Sequence, residues 1–203
     1  MLTLYTNPQS RGRIARWMLE ETGQPYETVV LDYYTSMKAP EYLALNPMGK
    51  VPTVVHDGKV ITENAAICAY LAMAFPDAGL MAEDKAAFFR WLFFAAGPLE
   101  QAVVNTSFGW LTKDQHEKRR AGYGDLEDCL NALGGHLKQN DYIADGRFTA
   151  ADVYVGAALG WGMQFGTIPP RDAFQAYWAR LKDRPAALRA NDKDNALIAE
   201  VKP

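Results

Sequence analysis

The fold of this chain is decided by the stretch from Asn46 to Tyr70, which reads Asn-Pro-Met-Gly-Lys-Val-Pro-Thr-Val-Val-His-Asp-Gly-Lys-Val-Ile-Thr-Glu-Asn-Ala-Ala-Ile-Cys-Ala-Tyr. Asp57-Gly58 separates two β-branched runs and favours a tight hairpin, whose two central residues need positive φ. Pro52 has no N–H for a sheet ladder, so we expect it at the first residue of a strand. Glu63 and Asn64 open an alanine-rich helix, and a helix N-terminus attracts anions. The stretch therefore predicts a pocket for an extended, negatively charged small molecule.

The residues around this stretch predict a small α/β domain over residues 1–76. Leu2–Tyr5 alternates as a strand does, and a helical pattern follows Ser10 and ends at Gly23. A second strand is expected over 26–31, which gives a strand–helix–strand unit with a right-handed crossover. The hairpin and the helix near 63–74 complete the domain.

The residues after a linker at about 76–84 predict an all-α helical bundle over 85–203. The apolar run 86–100 should be buried or form an interface, and Pro98 should kink or end its helix. Residues 114–138 carry a single apolar stripe. Thr149-Ala-Ala-Asp152 matches a capping box with aspartate in the glutamate position. A last amphipathic segment is expected near 172–181.

Composition and charge exclude several classes of protein. A chain of 203 residues with a net charge of −3 has no general attraction to nucleic acid or anionic membranes. Its two cysteines, Cys68 and Cys129, make no disulfide framework, which favours a reducing cytoplasm. The first residues lack the pattern of a charged leader, and no apolar run reaches the length of a membrane span, so we expect neither a leader nor a membrane span. The three histidines form no helical pair and have no cysteine nearby, so no metal site is expected.

Four segments of the chain resemble the cytosolic glutathione transferases, and bacterial members most of all. They are Tyr5 to Gly23 with a serine at the helix entrance, Asn46 to Thr53, Glu63 to Leu71, and Arg147 to Asp152. The resemblance implies a thioredoxin-like first domain with a cis Val51–Pro52 bond, a helical second domain and a homodimer. It also implies glutathione as a co-substrate, with no permanently bound cofactor.

The resemblance places each part of glutathione near particular residues. The cysteinyl backbone lies against Val51, beside Pro52, in the manner of an added strand. Glu63 and Asn64 match the positions that hold the γ-glutamyl end, although the family commonly has serine or threonine where this chain has Asn64. Lys38 and Lys50 are candidates for the glycyl carboxylate, and each can equally be a solvated surface lysine.

The resemblance implies that Ser10 stabilises the thiolate of glutathione for the chemical step. The attacking species is the thiolate, and each unit by which the thiol pKa falls below about 8.5 requires about 1.4 kcal/mol of thiolate stabilisation. The Ser10 hydroxyl is the favoured hydrogen-bond donor, and the alternative is that Ser10 is only a helix cap. Arg11 is a second electrostatic candidate and Asn7 a weaker alternative donor. No cysteine lies in this turn, which disfavours the disulfide reductases of the family.

The electrophile should bind in a pocket between the domains, lined by the second one. The candidates are aromatic residues, which at helical spacing can equally belong to the core: Phe108, Trp110, Tyr123, Trp161 and Phe165. The glycine-rich segment 160–166 indicates close backbone packing or a pocket wall.

The function predicted from these residues is conjugation of glutathione to small hydrophobic electrophiles. A glutathione-dependent peroxidase, isomerase or dehalogenase would use the same site. A non-catalytic protein that binds glutathione or another ligand is a further alternative, which Asn64 keeps open.

Overall fold

The structure is a computed structural model that describes residues 1–201 and divides into two compact units. The α/β unit comprises Met1–Met81 together with the chain from Asp183 onward, and the helical unit comprises Ala82–Lys182. The predicted second domain, 85–203, includes the C-terminal segment, which the structure instead groups with the α/β unit.

The α/β unit contains a four-stranded sheet with the order β2-β1-β3-β4. Its strands are β1 (Leu2–Thr6), β2 (Glu27–Val30), β3 (Thr53–His56) and β4 (Lys59–Thr62). β1 is parallel to β2 and antiparallel to β3, and β3 is antiparallel to β4. The predicted hairpin is present, with φ of 48° at Asp57 and 78° at Gly58. Pro52 directly precedes β3, and the Val51–Pro52 bond is cis.

The helices of this unit cover the sheet and complete a thioredoxin-like fold. They are α1 (Gly12–Thr22), α2 (Pro40–Leu43), α3 (Asn64–Ala74) and α10 (Pro185–Val201). α1 ends at Gly23, whose φ of 67° gives the left-handed cap expected of glycine. Leu4, Val54, Met18 and Ile67 are fully buried between sheet and helices.

The helical unit contains six α-helices and one π-helical segment. They are α4 (Lys85–Phe94), the π-segment Ala95–Leu99, α5 (Glu100–Ser107), α6 (Gln115–Arg120), α7 (Leu126–Leu137), α8 (Ala150–Gln164) and α9 (Asp172–Leu181). Pro98 does not end the helix, because the chain widens into the π-segment and continues into α5. The segment 114–138, with its predicted apolar stripe, forms two helices, α6 and α7. Gly122 and Gly124, which adopt positive φ, separate them.

The predicted capping box starts α8. The Thr149 N–H donates to Asp152 Oδ2 over 2.8 Å, and the box is complete in both directions. Asp152 also accepts hydrogen bonds from the Ile143 N–H and the Tyr177 hydroxyl, each at 2.8 Å. The fully buried carboxylate thus ties the loop before α8 to both α8 and α9.

The C-terminal helix α10, which the sequence analysis did not predict, packs along α1 through charged side chains. Glu20 of α1 accepts hydrogen bonds from Arg189 and Lys193 of α10 and from Tyr26. One helical turn earlier, Arg16 Nε lies 2.8 Å from Asp194 Oδ1, and both side chains are almost completely buried. Polar residues of α10 therefore hold it on the α/β unit.

Both cysteines are buried within their units, Cys68 on α3 and Cys129 on α7. Burial raises the pKa of the Cys68 thiol. Burial, together with the carboxylates of Asp128 and Asp125, raises the pKa of Cys129 to about 11. Within residues 1–201, no helix is both long and apolar enough to cross a membrane.

The ion pairs of Glu20 should make stability depend on pH. Burial raises the pKa of Glu20, but hydrogen bonds from Lys193, Tyr26 and Arg189 outweigh it and hold the pKa below 4.5. The stabilisation is therefore present above the unfolded-state pKa and is lost as the pH falls through the lower folded-state value. We expect Glu20→Gln to lower the free energy of unfolding by about 2 kcal/mol at pH 7, and by clearly less in acid. Urea denaturation at neutral and acidic pH measures this, with Glu27→Gln on the exposed β2 as control.

An equal loss at both pH values would show that the charge of Glu20 is not what stabilises this helix pair.

Candidate functional site

Three separate segments meet at one edge of the sheet. Tyr5 at the end of β1 pairs with Thr53 at the start of β3, and Thr53 pairs with Thr62 at the end of β4. The turn that contains Ser10, the Val51–Pro52 bond and the start of α3 each adjoin one of these strand ends. β2, parallel to β1, ends at the same edge and leads to the loop that contains Lys38.

The Ser10 hydroxyl is held by two backbone groups of its own turn. It donates to the Asn7 carbonyl over 2.6 Å and accepts from the Gly12 N–H over 2.9 Å. α1 begins at Gly12, so the hydroxyl satisfies one of the N–H groups that a helix start leaves unpaired. The Ser10 side chain therefore acts as a cap for the first N–H of α1.

The other carbonyls of this turn have donors from several elements. Arg13 Nε donates to the Pro8 carbonyl over 2.7 Å, and the Tyr33 hydroxyl donates to the Gln9 carbonyl over 3.2 Å. The Asn7 side chain donates to the Leu31 carbonyl over 2.8 Å and accepts from the Gln9 N–H. Asn7, a candidate thiol donor in the sequence, is thus engaged in shaping the turn.

The start of α3 is joined directly to the Ser10 turn. Asn64 Nδ2 donates to the Arg11 carbonyl over 3.1 Å. The side chain is buried, and among the described residues its Oδ1 atom has no hydrogen-bond partner. Glu63, just before α3, is exposed and adopts a φ of 65°. A positive φ is costly for a residue with a side chain and is concentrated at binding sites.

The loop before Pro52 is fixed by two residues to which the sequence analysis gave no role. The Tyr42 hydroxyl and Asn46 Nδ2 both donate to the Lys50 carbonyl, the latter over 2.9 Å. Burial raises the pKa of Tyr42, which therefore remains a protonated donor. Lys38 Nζ, from the segment after β2, donates to the Gly49 carbonyl of this loop over 2.8 Å, and the loop itself contains Lys50. Both candidate lysines are exposed.

Two of the aromatic candidates line a cavity of about 250 Å³ within the helical unit. Its lining residues are Thr106, Trp110, Leu111, Thr112, Tyr123, Asp125, Leu126 and Glu127. Phe108 adjoins it, with its ring centroid 5.0 Å from that of Trp110. The two carboxylates are neutralised, since Lys118 pairs with Asp125 and Arg171 Nη2 lies 2.8 Å from Glu127.

Trp161 and Phe165 are not among the residues that line this cavity. They lie at the C-terminal end of α8, where Phe165 is exposed. The glycines around them allow close packing, because a Cβ at Gly160 would lie 2.7 Å from the Trp178 ring.

Gly12 is a further residue of the site that the sequence analysis did not select. A Cβ at this position would lie 2.9 Å from Ser10 Oγ and would overlap Thr6 Oγ1 severely. Thr6 is fully buried and has no space to retreat. Glycine is therefore required where α1 starts beneath the serine hydroxyl.

We expect Gly12→Ala to displace Ser10 and to destabilise the protein by about 2–3 kcal/mol, since the added methyl group overpacks the start of α1. Urea denaturation measures the loss. Gly135→Ala is the matched control, because nothing lies within 4 Å of a Cβ there and the position is inside α7. That control should be stabilised by about 0.5–1 kcal/mol. Wild-type stability of Gly12→Ala would contradict the close approach of Thr6 and Ser10.

Comparison with known proteins identifies the family of the chain. The family models "Glutathione S-transferase, N-terminal domain" and "Glutathione S-transferase, C-terminal domain" match residues 1–73 and 90–185. The chain is similar to glutathione S-transferase GST-4.5 of Xanthomonas campestris pv. campestris, with 31% identity over 93% of this chain and 98% of the relative. Glutathione S-transferase 3 of Schizosaccharomyces pombe is 28% identical, over 97% of this chain and 90% of the relative.

Solved structures of glutathione S-transferases also resemble this chain. A glutathione S-transferase from Xylella fastidiosa superposes with a TM-score of 0.77 at 28% identity, covering 96% of this chain and 99% of that one. A sphingomonad glutathione S-transferase complexed with glutathione has a TM-score of 0.76 at 28% identity, covering 95% and 98%. With both domains matched in order, this chain belongs to the glutathione S-transferase family.

Proposed function

We propose that this protein conjugates the glutathione thiolate to small hydrophobic electrophiles. One observation carries the proposal: the Ser10 turn, the Val51–Pro52 segment and the start of α3 meet at one sheet edge, and the Asn64–Arg11 hydrogen bond joins two of them. A sphingomonad relative of the same fold was solved in complex with glutathione, which supports glutathione as the ligand.

In the proposed complex glutathione lies along the sheet edge. Val51 precedes the ladder that begins at Thr53, so its backbone groups are placed to pair with the cysteinyl residue as a short added strand. The N-terminus of α3 stabilises the γ-glutamyl carboxylate, and the exposed Glu63 carboxylate binds the ammonium group. The glycyl carboxylate is bound by Lys50, from the loop that Tyr42 and Asn46 fix, and by Lys38, which contacts that loop at Gly49.

Asn64 acts differently from the hydroxyl residue that is common at this position in the family. Its amide nitrogen already donates to the Arg11 carbonyl, and its buried Oδ1 atom is an acceptor. An acceptor does not stabilise a carboxylate. We therefore assign carboxylate binding to the N–H groups of α3, and we assign to Asn64 the connection between α3 and the Ser10 turn.

The chemical step needs the Ser10 hydroxyl to change its acceptor. In the structure the hydroxyl donates to the Asn7 carbonyl, and in the proposed complex it would donate to the thiolate instead. It can keep the Gly12 N–H as its own donor, which polarises the O–H bond and strengthens its donation to sulfur. The positive end of α1 lies on the same side and further favours the thiolate. The thiol proton passes to solvent, and the electron pair of the thiolate then forms the new C–S bond. With an aromatic halide the carbon–halogen bond breaks in turn, and the halide ion leaves with the electron pair of that bond.

The electrophile is assigned to the cavity of about 250 Å³ beside Trp110 and Tyr123. Aromatic and aliphatic groups line it, and both of its carboxylates are paired with basic side chains. A cavity without unpaired charge favours an apolar ligand. Phe108, Trp161 and Phe165 remain candidates for further contacts with the electrophile.

Ser10→Ala tests the mechanism. Losing one or two units of thiol pKa depression should lower kcat/KM at pH 6.5 by about 10- to 100-fold, with a smaller change in the calorimetric Kd for glutathione. Ser10→Thr keeps the hydroxyl and should retain most of the activity. The measurement is the pH profile of conjugation with an aromatic halide, after wild-type binding of glutathione has been established by calorimetry.

An unchanged profile in Ser10→Ala would refute the role of Ser10, and a wild-type protein that does not bind glutathione would refute the function.

A non-catalytic binding protein is the second candidate, favoured by the fact that both hydrogen-bonding functions of the Ser10 hydroxyl are already satisfied within the turn. Such a protein would bind glutathione but leave the pKa of its thiol unchanged. The ultraviolet absorbance of bound thiolate during a pH titration separates the two candidates, because the enzyme lowers that pKa and a carrier does not.

We also propose that the protein is a homodimer that uses the exposed apolar side of α4. Phe93 is 70% exposed, and Phe89, one helical turn away, is 38% exposed. Exposed aromatic residues one turn apart are typical of a protein interface. Phe93→Glu should shift the protein towards monomer in sedimentation velocity experiments, whereas Leu188→Glu, at an exposed position of α10, should not. A wild-type monomer would contradict the proposal.

A further inference from the structure

The guanidinium group of Arg13 connects the Ser10 turn to the C-terminal helix. Its Nε donates to the Pro8 carbonyl over 2.7 Å. Its Nη2 donates to Asn195 Oδ1 on α10 over 2.6 Å, and Nη1 lies 3.5 Å from Asn191 Oδ1. A single planar group thus fixes one carbonyl of the turn and is itself fixed from α10.

The Pro8 carbonyl lies next to the peptide group that orients the serine. The adjacent carbonyl, that of Asn7, accepts both the Ser10 hydroxyl at 2.6 Å and the Ser10 N–H at 3.0 Å. A rotation of the backbone at Pro8 would therefore change the position of Ser10 Oγ. Arg13 opposes that rotation by holding the Pro8 carbonyl.

α10 is a firm support for Asn195. The neighbouring residue, Asp194, is fully buried and forms a 2.8 Å ion pair with Arg16 of α1. Two residues before Asn195 the helix is fixed again, because Lys193 binds Glu20. The Asn195 side chain is therefore presented to Arg13 from a helix that is anchored on α1.

We propose that Arg13 is a positioning residue and that α10, through Asn195, sets the geometry of the Ser10 turn and with it the pKa of bound glutathione. The inference rests on the proposed function. It gives α10, which lies almost entirely beyond the residues matched by the two family models, a part in tuning the chemical step.

Arg13 could act through its positive charge or by holding the turn through hydrogen bonds, and these two roles predict different results for the following variants. Arg13→Lys keeps the positive charge but cannot form the fork that joins the Pro8 carbonyl to Asn195. Asn195→Leu removes the acceptor on α10 and leaves Arg13 intact, whereas Asn195→Asp keeps an acceptor oxygen. Arg189→Gln is the matched control, because it removes another contact between α10 and α1 at a distance from the turn.

We expect Asn195→Leu and Arg13→Lys to raise the pH midpoint of kcat/KM by about half a unit, which is about a threefold loss at pH 6.5. The calorimetric Kd for glutathione should change less than twofold. Asn195→Asp should restore the wild-type midpoint, and Arg189→Gln should leave it unchanged even where it lowers thermal stability. Hydrogen exchange of the Gly12 amide, which donates to Ser10 Oγ, should become faster in Asn195→Leu and not in Arg189→Gln.

A wild-type midpoint and unchanged Gly12 exchange in Asn195→Leu would overturn the inference while leaving the proposed function intact. Equal shifts in Asn195→Leu and Arg189→Gln would also overturn it, since they would reflect a general loss of stability. A wild-type protein that binds no glutathione would instead refute the proposed function, and the inference would fail with it.

Discussion

The antiparallel pairing of β1 with β3 is the constraint on which the candidate site depends. Its register places Tyr5 opposite Thr53 and buries Leu4 and Val54 completely. A slip by one residue would turn these two side chains away from the core, so burial strongly specifies the register. Because the register is fixed, loops that are more than forty residues apart in sequence meet at one edge. The position of the site is therefore set by sheet packing, and its loops need only small changes in local conformation to form it.

Much of the fold could be predicted from signals that are local in the sequence. The Asp57-Gly58 turn, the end of α1 at Gly23 and the Thr149–Asp152 capping box each depend on the chemistry of a few neighbouring residues, and all three are present. The candidate site was harder to predict, because the contacts that support it join residues far apart in the sequence. Tyr42 lies in a single helical turn without clear periodicity, and nothing in the sequence indicates that its hydroxyl reaches Lys50.

Helix α10 was not predicted from the sequence for a similar reason. Its buried side is made of Ala186, Ala187, Ala190 and Asp194, so it lacks the stripe of large apolar residues that marks an amphipathic helix. What holds it in place is complementary charge on α1, including the buried Arg16–Asp194 pair. Such pairing cannot be recognised from sequence until both partners are known to be neighbours. Pro98 is a comparable case, since the π-segment accommodates a residue that usually ends a helix.

The burial of both cysteines has a consequence for an enzyme of the kind proposed here. A catalyst that gathers reactive electrophiles risks alkylation of its own sulfur atoms, and alkylation requires the thiolate. Burial and the nearby carboxylates raise the pKa of Cys129 to about 11, so its thiol stays protonated at neutral pH, and Cys68 is fully buried. The nucleophilic sulfur is then supplied by glutathione and departs with the product, which leaves the protein chemically unmarked after each turnover.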